Sequence, residues 1–208
     1  RLQLLLLIVG LAMATASGYV LLTMHLVQQQ IAQDQFQLQR ILVTRMASQL
    51  DQDMHNRTVE LKFLAGLQRL RDPARAAADK QALLLEKQAA YPIYAWIGVT
   101  DTEGRILAST EPRIQGADVS QRSWFVGGRE RLHQEDIHDA VLLGKLLPPP
   151  QLDELPLRLM DISLPLHDRD GRFIGVLATH LSLDWAYQVR NQLLDQLDDP
   201  GLEMLLVN

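Results

Sequence analysis

The run from Tyr94 to Ser109, YAWIGVTDTEGRILAS, decides the fold, because here the spacing of apolar residues changes from helical to alternating. Strict alternation puts Ala95, Ile97 and Val99 on one face of a strand and Tyr94, Trp96 and Gly98 on the other. Asp101-Thr102-Glu103-Gly104 turns the chain into Arg105 to Ser109, so the run predicts a β-hairpin with a glycine turn.

Toward the C-terminus, Ser120 is placed to cap a short helix reaching about Arg131, since its hydroxyl can accept from a free amide of the first turn. Ile137 to Leu147 reads as strand or loop, and Pro148-Pro149-Pro150 forces an extended connection. Leu157 to Leu166 and Arg172 to Ser182 predict two more strands around the turn His167 to Gly171. Residues 183–197 return to helical spacing, capped by Ser182 or Asp184 and stopped by Asp198-Asp199-Pro200-Gly201.

Toward the N-terminus, residues 28–71 carry Leu50, Met54, Leu61, Leu64, Leu67 and Leu70 at helical intervals among polar residues, the pattern of a long amphipathic helix. Asp72-Pro73 closes it, and Ala74 to Ala90 predicts a second helix that ends at Tyr91-Pro92. The predicted class is therefore α+β, an antiparallel sheet with helices grouped on one side.

Before all of this, Leu2 to Val27 holds no Asp, Glu, Lys or Arg. About 20 apolar residues suffice for a helix to cross roughly 30 Å of hydrocarbon, so a membrane span is expected. A cleaved signal is the alternative, but its apolar stretch is roughly 7 to 15 residues, shorter than this one. Gly10, Ala14 and Gly18 share one helix face and would let a second helix approach, which fits a homodimer. Arg1 precedes the span and no Lys or Arg follows it until Arg40, which favours an inner-membrane anchor with the remainder periplasmic or extracellular.

The 208 residues carry a net charge of -5 and no cysteine. Disulfide and thiolate chemistry are thereby excluded, and the absence of a basic cluster argues against nucleic acid as a partner. The chain opens at Arg and stops after GLEMLLV, so we expect a fragment of something longer.

In order and spacing, YAWIGVTDTEGRILAST (94–110), DVSQRSWF (118–125), DIHDAVLLGKLLP (136–148) and LRLMDISLPLHDRDGRFIGVLATHLSLDWA (157–186) resemble the extracytoplasmic Cache sensor domains. These are PAS-like modules of bacterial membrane receptors, and the resemblance covers about residues 28–200. AVLLGKLLP with GVLATHLSLDWA looks most like the sensors placed before diguanylate cyclase and phosphodiesterase domains; histidine kinases and chemoreceptors use the same module. The resemblance implies a transmembrane helix over 1–27, stalk or packing helices over 28–91, the PAS-like module over 92–200, and a second module or linker starting at 201–208. It also implies a ligand-binding fragment that is not itself an enzyme.

In the amino-acid-binding subgroup of that family an Arg-x-Trp-Tyr motif holds the ligand carboxylate. Arg122-Ser123-Trp124-Phe125 matches it with Phe for Tyr. Ala117 stands near the place of a further tyrosine, and His180 stands where an aspartate takes the ligand's amino group. An imidazole is not a fixed anion, so the expectation shifts from amino acids to a small anionic ligand.

Weighed by residue type, Arg122 offers a planar fork of donors for a carboxylate, with Trp124 and Phe125 as apolar walls and Tyr94 and Trp96 as a floor. Lys145 and Asp161 each place a charge in an apolar run, as a ligand anchor or simply as a surface lysine and a loop-bonded carboxylate. His133, Glu135, Asp136, His138 and Asp139 invite a metal reading, but a strand sends His138 and Asp139 to opposite faces and no HExxH pattern is present. Neither a metal nor another cofactor is therefore expected. Gly127-Gly128 is too little for a phosphate loop, and no G-x-S-x-G elbow supports a hydrolase. The expectation is a membrane-anchored ligand sensor, with a ligand-free dimerisation module as its alternative.

Overall fold

The computed structural model describes residues 2–140 and 158–195. Lys145, the Pro148–Pro150 connection and residues 201–208 lie outside the described residues. Arg1–Ser48 forms one compact unit and Gln49–Asn208 another.

The first unit consists of the early part of α1, Leu2–Gly66, which contains a stretch long and apolar enough to cross a membrane, with none of it buried inside the protein. Leu2, Leu7, Leu11 and Leu21 all stand exposed. The hydroxyls of Thr15 and Thr23 donate to Ala12 O and Tyr19 O of the same helix, so these polar groups need no water.

In the second unit five antiparallel strands lie in the order β2-β1-β5-β4-β3. They are β1 Tyr94–Thr100, β2 Ile106–Ser109, β3 His133–Asp139, β4 Arg158–His167 and β5 Phe173–Ser182. Both expected hairpins are present and share one turn device. Asp101 Oδ1 accepts from the amides of Glu103 and Arg105, with Gly104 at φ 87°. Asp168 Oδ1 accepts likewise from Asp170 and Arg172, with Gly171 at φ 79°. An Asx turn followed by a glycine in the left-handed region reverses each chain without strain.

One face of the sheet packs against the end of α1 through Leu61 and Leu64, against α2 (Gln68–Arg71) through Leu70, and against α3 (Ala77–Ala90) through Leu84. Ile97, Val99, Ile162, Leu177 and Leu181 meet them from the strands. The opposite face carries a 3-10 turn, Pro112–Ile114, and the six-residue α4, Ser123–Gly128, over Trp96, Leu159, Val176 and Ala178. Helices thus cover both faces rather than one, because the apolar set of β1, β4 and β5 is continuous on each side, as expected of strands in a buried position.

Two sequence expectations shift locally, and the cap of the closing helix lies where expected. α4 starts at Ser123 with Arg122 in the cap position and no side-chain cap; Ser120 instead lies in a loop held by Asp118 Oδ1, which accepts from its amide. β3 begins four residues earlier than expected, at His133, because its edge position tolerates the polar run HQEDIHD. The closing helix α5, Asp184–Asp195, follows Ser182, whose Oγ accepts from Asp184 N.

Candidate functional site

The site is built on the central pair β5 and β4. His180 lies opposite Asp161 on one side and opposite Trp96 on the other. Residues opposite one another in antiparallel strands project to the same face, so Trp96, His180 and Asp161 form a row across three strands.

Two irregularities extend that row. The register of β1 against β5 shifts between Tyr94 and Trp96, and that of β3 against β4 shifts between Glu135 and His138. A bulge inserts one residue, and one residue of slip moves a side chain to the other face. In β3 the effect is that Glu135 and His138, three apart, both face the row. In β1 it separates Tyr94 from Trp96.

Over the row lies a cavity of about 230 Å³. Trp96, Leu159, Asp161 and His180 form its floor, and Ile106, Ile114 and Val119 close one side. Arg122, Ser123 and Trp124 supply the cover, and Glu135, His138, Asp139 and Ala140 the far side. The His180 ring stacks on Trp96 with centroids 4.9 Å apart, and Trp124 stands 5.9 Å from Trp96. Ring pairs at such distances hold one another in place and give the cavity rigid walls.

The cover is seated by a close approach. Ser163 Oγ donates to Trp124 O at 2.7 Å, and a Cβ on Gly128 would come within 2.6 Å of that same Oγ. A Cβ on Gly127 would come within 2.4 Å of the His133 ring. Only a Gly-Gly pair lets α4 lie this low. Gly98 serves the floor in the same way, since a Cβ there would fall 2.2 Å from the Trp96 indole.

Arg122 is exposed at the rim, and among the described residues its side chain has no hydrogen bond or ion pair. Asp161 is 1% exposed and its Oδ1 pairs with His180 Nδ1, while Oδ2 accepts no hydrogen bond among the described residues. The Trp96 indole N–H is likewise buried without an acceptor. Buried polar atoms are ordinarily satisfied, and two of the residues lining this cavity each carry one that is not, among the described residues.

Of the residues singled out by sequence, Arg122, Trp124, Trp96, Asp161 and His180 come together here. Phe125 does not line the cavity; it is buried behind Trp124, edge-on to it at 6.2 Å. Tyr94 lies on the opposite face, where its hydroxyl donates to Glu60 Oε2 at 2.8 Å. The expectation that Tyr94 and Trp96 floor the same pocket is corrected by the bulge at Ala95, which alternation cannot reveal. Glu135, His138 and Asp139 are lining residues that the sequence offered only as a metal reading; their place at the cavity depends on the second bulge.

On that opposite face Glu60 gathers Lys87 Nζ at 2.5 Å, Arg57 and Tyr94. Burial pushes the Glu60 carboxyl up, but the hydrogen bonds from Lys87 and Tyr94 and the charge of Arg57 outweigh it and hold it below the usual range. Burial, then the Glu60 bond, pushes the Tyr94 hydroxyl well above the ordinary tyrosine value.

A family model described as Cache domain matches residues 23–208. No curated protein matches the chain. Among solved structures, the ligand-binding domain of the Pseudomonas aeruginosa PAO1 amino acid chemoreceptor PctC, in complex with GABA, is similar at TM-score 0.55 and 18% identity, over 74% of this chain and 63% of that one. The sensor domain of the V. cholerae histidine kinase DctB gives TM-score 0.59 and 14% identity, over 72% and 57%. The sensory domain of the Campylobacter jejuni chemoreceptor Tlp3, with isoleucine bound, gives 0.55 and 12%, over 71% and 59%. The chain thus spans less than two thirds of each of these structures, and at such identities the likeness is one of fold.

Proposed function

The chain belongs to the Cache domain family, and on that premise we propose that it is the ligand-sensing domain of a bacterial membrane receptor, reading a small molecule that carries a carboxylate. The observation that carries this reading is the cavity under α4, with aromatic walls inside and at its rim the Arg122 guanidinium, unpartnered among the described residues. A guanidinium fork binds a carboxylate through two parallel hydrogen bonds, while apolar walls exclude water and strengthen them. A cavity of about 230 Å³ suits a ligand smaller than the drug-sized molecules that fill roughly 300–1,000 Å³. PctC and Tlp3, which share the fold, hold GABA and isoleucine, both of which bear a carboxylate.

In this proposal the apolar part of α1 anchors the domain in the inner membrane and the sheet lies on the periplasmic or extracellular side. The domain itself performs no catalysis. It regulates an output domain, for which the sequence resemblance favours a diguanylate cyclase or phosphodiesterase, and the histidine kinase and chemoreceptor neighbours supply the alternative. A ligand can bias that output only as far as it prefers one conformation over another.

A second reading, a homodimer formed along α1, draws on exposed apolar side chains such as Val59 and Phe63, the latter 71% exposed. It complements the first.

Thermal-shift and calorimetric titration of the detergent-solubilised chain against short organic acids and amino acids tests the ligand reading. A ligand is expected whose affinity falls by about 10- to 100-fold in Arg122→Ala. Unchanged affinity in that variant, or a full panel without a shift, would overturn it.

A further inference from the structure

Three adjacent strands each send one metal-ligating side chain to the same spot on the cavity floor: His138 from β3, Asp161 from β4 and His180 from β5. One donor atom from each lies within 4.8 Å of the others. None of these residues is close to another in sequence, so no spacing motif announces them. They meet because Asp161 and His180 are register partners and the β3 bulge turns His138 toward them.

Hydrogen bonding assigns the roles of the nitrogens. His138 Nδ1 lies 3.1 Å from the backbone oxygen of Asp136. A carbonyl only accepts, so Nδ1 carries the proton and Nε2 of the neutral ring is a bare lone pair. That Nε2 stands 3.5 Å from Asp161 Oδ2, the carboxylate oxygen that accepts no hydrogen bond among the described residues. With the His138 ring neutral, two electron pairs face each other beside the buried Asp161, and a cation between them would satisfy both.

From this we propose that His138, Asp161 and His180 bind a divalent transition-metal ion of the zinc class, with an open coordination position that faces the cavity and takes an oxygen of the ligand. Two imidazoles and one carboxylate are the donor set that zinc, cobalt and nickel accept, whereas calcium and magnesium require oxygen ligands. The separation of 3.5 Å between His138 Nε2 and Asp161 Oδ2 is close to the edge of about 3.3 Å for a tetrahedron with metal–ligand bonds of roughly 2.0–2.1 Å. The bond from His138 Nδ1 to a backbone carbonyl is the outer support that metal-bound histidines ordinarily have. Three protein ligands with a fourth position open to a cavity is the arrangement of zinc sites that exchange small molecules, in contrast to closed structural sites.

This inference deepens the ligand-sensing reading of the cavity and rests on it: the metal would hold one end of the ligand while Arg122 meets the other. A protonated His138 is the competing way to fill the gap between the two lone pairs, and an ammonium group of a ligand placed on Asp161 is another.

Equilibrium titration of the full chain, stripped with a chelator and free of any affinity tag, separates these. With Zn2+ we expect one ion per chain and a rise in melting temperature. With Co2+ we expect a visible ligand-field band showing nitrogen and oxygen ligation. His138→Ala should weaken binding by more than the roughly 10- to 100-fold that loss of an outer support costs, and His167→Ala, outside the cluster, should leave it unchanged. Asp161→Asn, nearly the same shape, should also abolish the cobalt band; circular dichroism verifies that each variant is folded, and His138→Gln replaces His138→Ala if that variant is not.

No uptake of either metal, uptake unaffected by the His138 and Asp161 variants, or binding of an amine-bearing ligand that excludes metal would overturn the proposal. Measuring carboxylate binding with chelator present keeps the two readings distinct. Carboxylate binding without metal uptake removes the metal alone, and metal uptake in a chain that binds no carboxylate removes the role given to Arg122.

Discussion

Tyr94 and Trp96 are two residues apart on one strand, yet their side chains leave opposite faces of the sheet. The bulge at Ala95 makes this so, and it divides the labour of β1. Trp96 floors the cavity, while Tyr94 is tied to Glu60 on α1. A shift of the indole on ligand binding would act on the same short piece of backbone that positions the tyrosine, which gives the cavity a short physical route to the helix that leads toward the N-terminus.

Gly98 lets the Trp96 indole lie flat against the strand, and Gly98→Ala should displace it. The new Cβ would sit 2.2 Å from the ring, so the indole must swing into the cavity. The expected cost is about 1–3 kcal/mol of stability, as for other overpacked sites. Ligand binding should fall more steeply than stability, and tryptophan fluorescence should change even without ligand. An unaltered spectrum and affinity would show that the floor does not depend on this contact.

Arg122 is exposed and unpaired among the described residues, so Arg122→Ala should leave the melting temperature of the free protein within about a degree while reducing carboxylate affinity. Hydrogen bonds to a charged group contribute about 1.5–3 kcal/mol, which corresponds to about 10- to 100-fold in affinity. Arg122→Lys should recover only part of this, because an ammonium cannot reproduce the two parallel bonds of the fork. Calorimetry on the three proteins makes the comparison; full recovery with Lys would reduce the role of Arg122 to simple charge.

The hairpins were legible because each has an Asp and a Gly at fixed places between apolar runs, and those residues alone specify the turn. Of the five residues that do meet in the cavity, Arg122, Trp124, Trp96 and Asp161 are legible by chemistry, an arginine near aromatics and a charge set in an apolar strand, and His180 through the family resemblance. What alternation could not convey is where it breaks. Ala95 and the Asp136-Ile137 region carry no glycine or proline to announce a bulge, so alternation alone puts Tyr94 on the wrong face and sends Glu135 and His138 to opposite faces. β3, with its run HQEDIHD, lacks the apolar signal of a strand because its edge position asks for none. α4 starts later than the capping residue type of Ser120 suggests, because the helix is fixed by packing of Trp124 and Gly128 on the sheet.

That packing gives the next prediction. Gly128→Val should lift α4, since even a Cβ would meet Ser163 Oγ at 2.6 Å and Val176 Cγ1 at 2.9 Å. Stability should drop by about 1–3 kcal/mol. Gly128→Val with Ser163→Gly should regain much of the loss if Ser163 is the obstacle, although the bond to Trp124 O is then absent. A double variant no better than the single one would place the strain elsewhere, and chemical denaturation of the three proteins distinguishes the outcomes.

The cluster around Glu60 makes stability fall at both ends of the pH range, and the signs follow from the two shifts. The folded-state pKa of Glu60 lies below its ordinary value of 4.5, so its contribution is fully present above that value and is lost as pH falls through the folded one. The folded-state pKa of Tyr94 lies above its ordinary value of 10.0, so its contribution is fully present below 10.0 and is lost as pH rises toward the folded value. Glu60→Gln should therefore cost about 1 kcal/mol near neutrality, where Lys87 and Arg57 lose their counter-charge, and progressively less as pH falls below 4.5. Tyr94→Phe should remove the alkaline fall and leave the acid one. Urea midpoints at acid, neutral and alkaline pH provide the measurement. If Glu60→Gln lowers the midpoint equally at all three, the carboxylate owes its place to shape and not to charge.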